Sequence, residues 1–136
     1  MKFLNIVLIA LIAVSGCGEA PQIQIVPVQG VITIGGKPAA NIMIQFMPDV
    51  AMNVPGITSV GVSDEQGRFR LTASDGREGA MPGTCQVVLA DMDEERPAQG
   101  EPAGAPSRIP PKYATAGTGG LSVQVVDGQE VNLSIP

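Results

Sequence analysis

The chain has 136 residues, 13 acidic against 8 basic for a formal charge of −5 at pH 7, and only 3% of it is aromatic. That balance argues against nucleic acid as a partner, because counterion release at phosphates needs a basic footprint. The sequence also lacks histidine, and with it the usual general base, zinc ligand and activator of a serine or cysteine nucleophile, so it predicts no enzyme, no catalytic residue, no metal site and no cofactor.

Met1 to Gly16 reads as an export signal. Met1-Lys2 is a short positive start, and Phe3 to Val14 is an apolar run broken only by Asn5. The run is shorter than the roughly 20 residues a membrane span requires. It ends in Val14-Ser15-Gly16-Cys17, the lipobox pattern: Val14, Ser15 and Gly16 are what a signal peptidase recognises, and Cys17 is the residue that is lipidated. Each buried acyl CH₂ contributes about 0.8 kcal/mol, and two or more chains give stable anchoring. Lipid on Cys17 is therefore the expected link to a membrane. Gly18, not aspartate, follows it, which favours an outer-membrane or cell-surface location over retention at the inner membrane.

Residues 17–25 are then a lipidated tether. Strand patterning begins at Val26 and runs to Ile34, and Gly35-Gly36 turns the chain. Asn41 to Met47 alternates with Ile42, Ile44 and Phe46 on one face, and Pro48 ends it. Ile57 to Ser63, the turn Asp64-Glu65-Gln66-Gly67, and Arg68 to Thr72 read as a hairpin with Phe69 and Leu71 inward. Thr84 to Leu89 places Cys85, Val87 and Leu89 on one face. With Cys17 tied up in a thioether, Cys85 has no disulfide partner and reads as a small buried hydrophobe. Residues 92–107, rich in Pro, Ala and Gly after Asp93-Glu94-Glu95-Arg96, form the mobile loop. Ile109 to Tyr113 reads as an extended piece with Tyr113 packed beside Ile109, and Leu121 to Val126, Asp127-Gly128 and Val131 to Ile135 as a final hairpin. The expected fold is all-β, a seven-stranded antiparallel β-sandwich over residues 26–136.

Gly30 to Pro38, Ile42 to Pro48, Ser63 to Phe69 and Pro82 to Val87 resemble the carboxypeptidase regulatory-like domain, a transthyretin-like and Ig-like β-sandwich. The pattern covers nearly all of the chain after Cys17. Gly35, Gly36 and Gly67 match its turn glycines and Asp64 its turn-capping residue, all structural positions. One departure is Cys85, where the family usually carries a tyrosine that could have met a ligand. The hydroxyisourate hydrolases of the transthyretin-like fold use histidines and a C-terminal Tyr-Arg-Gly-Ser; this chain has neither, ending Leu133-Ser134-Ile135-Pro136.

The expected function is that of a non-enzymatic, lipid-anchored module of the cell envelope with a structural or protein-binding role and an envelope protein partner. The alternative is a surface lipoprotein that binds calcium or a small ligand through the Asp49 to Pro55 and Asp91 to Glu95 loops. Acidic neighbours such as Asp64-Glu65 and Asp75 with Glu78 read as solvated turns, since a carboxylate needs burial or a fixed partner to acquire a catalytic pKa.

Overall fold

The structure is a computed structural model and describes residues 16, 22–49, 56–94, 99–100, 102, 104–117 and 120–136. The described residues contain β1 (Gln29–Ile34), β2 (Lys37–Pro38), β3 (Ile42–Pro48), β4 (Ser59–Val62), β5 (Arg68–Arg70), β6 (Thr72–Ala73), β7 (Gly83–Asp91), β8 (Leu121–Val125), β9 (Val131–Ile135) and a 3₁₀ turn at Pro111–Tyr113. They form two sheets. β6-β4-β3-β7-β8 is antiparallel throughout. The other sheet is built round β1, whose residues Gly30 to Ile34 run parallel to β9. A strand has only two edges, so β5 and β2 share the opposite one, pairing antiparallel with Gln29 to Val31 and with Thr33 and Ile34.

Strict alternation explains how the two sheets close on one core. Ile42, Ile44 and Phe46 of β3, Val87 and Leu89 of β7, Ile32 of β1 and Leu133 and Ile135 of β9 all point inward and are almost wholly buried. Each such side chain contributes roughly 1.5–3 kcal/mol by leaving water. The result is all-β and sandwich-like, with an aliphatic core.

Three strand relations differ from the sequence expectation. β4 and β5 do not form a hairpin: β5 crosses to pair with β1, and the chain returns to β4 only through β6, where Ser59 faces Ala73. β8 and β9 do not form a hairpin either, because β8 pairs with β7 and β9 with β1. The sheet around β1 is therefore mixed, not purely antiparallel, and the strand segments outnumber the expected seven. The cause is general. A period of two reports which face of a strand is buried and is silent about which sheet supplies its neighbour. Gly61 serves the crossing: a Cβ there would lie 2.2 Å from the carbonyl oxygen of Arg70, so only glycine lets β4 approach the β5–β6 corner.

Ile109 to Tyr113 also differs, since it bends into a 3₁₀ turn. Pro111 opens it with a ring-fixed φ suited to a first helical position, and the Tyr113 and Ala114 amides donate to the carbonyls of Pro110 and Pro111. Ile109 and Tyr113 join the core.

The outer faces of the two sheets are unlike. Around β1 the outward residues are mostly polar, Gln29, Thr33, Arg68, Arg70, Asn132 and Ser134 with Val31 among them. On the five-stranded sheet, β4 presents Val60 and Val62, β3 presents Met43, Gln45 and Met47, and β7 presents Thr84, Gln86, Val88 and Ala90. Thr72, Ser122 and Gln124 complete that face, and none of its described strand residues is charged.

Candidate functional site

The residues singled out from the sequence fall into two groups. Val14, Ser15 and Cys17 lie outside the described residues, and Gly16 is exposed. Gly35, Gly36, Asp64 and Gly67 are where the turns require them: the three glycines have φ of 59°, 81° and 73°, a region costly for other residues. Asp64 Oδ1 accepts the amides of Gln66 and Arg68, each at 2.9 Å, while the Gly67 amide donates to the Asp64 carbonyl. Asp64→Ala is expected to cost about 1 kcal/mol, the scale of a lost local cap, and Asp64→Asn to recover most of it; chemical denaturation measures both.

Cys85 points into the core and is 1% exposed. Burial raises its pKa, since a thiolate is poorly solvated there. A tyrosine at this inward position could not have met a ligand from outside. The thiol is expected to resist a soluble disulfide reagent in the native state and to react stoichiometrically in denaturant; a fast native reaction would show that this part of β7 opens.

The most organised polar cluster was not anticipated. Asp91, at the end of β7, has a carboxylate only 1% exposed. Arg108 grips it by a fork, Nε to Oδ2 at 2.9 Å and Nη2 to Oδ1 at 2.7 Å, and the Arg108 amide donates to Oδ2 at 2.8 Å. The Asp93 amide reaches Oδ1 at 3.0 Å. Arg108 Nη2 also donates to the Ala40 carbonyl and to Asp93 Oδ2, and Asn41 Nδ2 donates to Asp93 Oδ1. The guanidinium hydrogen bonds hold the Asp91 carboxyl at about 2 against an ordinary 3.8, overcoming the opposing effect of burial. This clamp ties both ends of the 92–107 loop to the chain before β3. Residues 95–98, 101 and 103 of that loop, expected to be mobile, lie outside the described residues.

The clamp bears on the calcium alternative. Asp91 faces Ile42 at one end of the β3–β7 pair, whereas Asp49 follows Pro48 at the other, its amide donating to the Thr84 carbonyl. At about 3.3 Å per residue Asp49 and Asp91 lie roughly 20 Å apart along this strand pair, and the Asp91 and Asp93 oxygens already accept from Arg108. Among the described residues no three His, Cys, Asp or Glu side chains gather as a metal would require.

No protein-family model, curated protein or solved structure matches the chain. Two adjoining grooves of about 540 and 400 Å³ lie near the start of β1, both lined by Gln29, Arg70 and Glu130. Gln29 is paired with Arg70 on one side, and Glu130 immediately precedes β9 on the other, giving a cation, an amide and a carboxylate along one rim. These groups can hold a ligand by charge and hydrogen bonds, and bring no activated nucleophile.

The missed residue is Arg108. Its signal was available as opposite charge at the two ends of one long loop, Asp91 and Asp93 at its start and an arginine just after it.

Proposed function

We propose that this chain is a lipid-anchored, non-enzymatic module of the cell envelope, held through Cys17 and displaying a transthyretin-like sandwich of the carboxypeptidase regulatory-like kind for protein contact. The observation that carries the reading is the ordered succession of Met1-Lys2, the apolar core and Val14-Ser15-Gly16-Cys17, in which a positive start, a short hydrophobic run and a lipobox follow each other without interruption. Two sheets round one aliphatic core support the fold part of it. The protein-contact part is supported by the uncharged outer face of the five-stranded sheet, where Val60 and Val62 are 38% and 52% exposed.

Mass spectrometry of the mature N-terminus tests the anchor directly. The expected product begins at Cys17 and carries the mass of two or three acyl chains, and Cys17→Ser moves the protein from the membrane pellet to the soluble fraction. A chain that retains Met1, or a free Cys17 thiol, would overturn the reading. An envelope pulldown that recovers nothing above background would remove the contact role and leave a structural one.

A further inference from the structure

We infer that the outer face of the five-stranded sheet is the contact surface of a homodimer, two copies stacking these faces on each other. The inference takes from the anchored-module reading only the concentrating effect of a membrane; the face itself is independent of it. An antiparallel sheet that faces water alternates apolar inward and polar outward residues, and the sheet around β1 obeys this with Arg68 and Arg70 outward. The five-stranded sheet does not. Its outward positions are Met43, Met47, Val60, Val62, Val88 and Ala90 among neutral polar side chains, in rows fixed by register: Val62, Met43 and Ala90 are level with one another, as are Val60, Gln45 and Val88. A neutral face of mixed apolar and amide or hydroxyl side chains, with Val60 and Val62 exposed on it, is suited to contact.

Charge selects the occupant. In a two-fold contact the same patch supplies both sides, so a charged side chain near the axis meets its own like charge. A contact with a different protein has the opposite incentive, since complementary charges give it partner choice and association rate. A face with no charge in a chain of net charge −5 suits a second copy, because it lets two repelling molecules meet where neither is charged. Stacking uncharged sheets about 10 Å apart repeats the packing of the core itself. The face is smaller than the roughly 20–30 residues per side of a standard interface, which places the dimer in the weak class. Confinement to a membrane offsets that weakness by raising effective concentration.

Cross-linking of the full-length chain in intact cells tests this. Gln45 lies on the middle strand of the face, and Gln45→Cys treated with a short bismaleimide is expected to give a covalent dimer. The unsubstituted chain and Asn132→Cys, on the outer face of the other sheet, are expected to stay monomeric. Adding Val62→Lys to Gln45→Cys should reduce the dimer at least fivefold; since Val62 is already half exposed, the fold should survive, and an unchanged thermal melt checks that. No product from Gln45→Cys, a product with the mass of a different protein, or equal dimer from Asn132→Cys would each overturn the proposal. Cell fractionation run alongside reports the anchor separately: a soluble chain that still cross-links would sink the anchored reading and leave the dimer standing.

Discussion

Replacing Arg108 by alanine should cost about 3 kcal/mol at pH 7, somewhat less than the full loss on breaking a buried pair because the Arg108 side chain is 39% exposed. The loss arises at Asp91, whose 1% exposed carboxylate keeps its charge and its burial and retains only the Arg108 and Asp93 amides as donors. pH separates this cause from lost packing. In the intact chain the Asp91 carboxyl titrates at about 2 against 3.8 ordinarily. The unfolded chain therefore binds more protons between those values, so the contribution is complete above about pH 4 and vanishes as pH falls through about 2. In Arg108→Ala the amides of residues 108 and 93 still oppose burial, but the guanidinium hydrogen bonds that lowered the pKa most are gone, so the carboxyl moves back up and much of this pH-dependent contribution is lost. The stability difference between the two proteins should be largest near neutrality and shrink towards pH 2 in urea melts. A difference that stays constant with pH would mean that Arg108 acts by packing alone.

The same variant speaks to the loop. Arg108 and Asp91 bracket residues 92–107, and Arg108 also reaches the Ala40 carbonyl, so the clamp joins three parts of the chain at one end of the sheet. Limited proteolysis of Arg108→Ala should begin within 92–107 well before it begins elsewhere.

What was legible from the residues is the inside of the molecule. Ile42, Ile44 and Phe46, Phe69 and Leu71, Cys85, Val87 and Leu89, and Val131, Leu133 and Ile135 are all buried as alternation required, because the pleat fixes side-chain direction with no reference to the rest of the fold. Turn residues were legible for the same local reason, Gly35, Gly36 and Gly67 through φ and Asp64 through its neighbouring amides. Sheet membership was not. The expected hairpins placed β4 with β5 and β8 with β9, yet in both cases the second strand pairs with β1. The Asp127-Gly128 turn does form, with Gly128 at φ 79° and the Gln129 amide bonded to the Val126 carbonyl; it turns the chain into the other sheet. The Asp91 to Arg108 pair escaped notice because it joins residues separated by a loop of weak patterning. The uncharged outer face escaped notice because it emerges only when β3, β4, β7 and β8 are laid in register.

Gly30→Ala should be severely destabilising. Gly30 pairs with Phe69 across one edge of β1 and with Val131 across the other, and a Cβ there would lie 1.8 Å from the Val131 carbonyl oxygen and 2.8 Å from Phe69 Cζ. The first contact is with backbone, so no rotamer change relieves it; β9 has to move away from β1, and with it Leu133 and Ile135 leave the core. The expected cost exceeds the ~1–3 kcal/mol typical of overpacking, enough to unfold much of the population of a domain of ordinary stability at 37 °C. Gly35→Ala is the comparison. It places the same methyl at a φ of 59° with nothing within 4 Å, and should cost only about 1 kcal/mol in backbone strain. Adding Phe69→Leu to Gly30→Ala removes the ring contact and leaves the carbonyl one, so it should restore little. Full rescue by Phe69→Leu would place the clash at the aromatic ring and show that β9 can shift at little cost. Thermal melts of the three variants decide between these outcomes, and with them whether the parallel β1–β9 pair, the relation that alternation could not foresee, depends on the absence of one side chain.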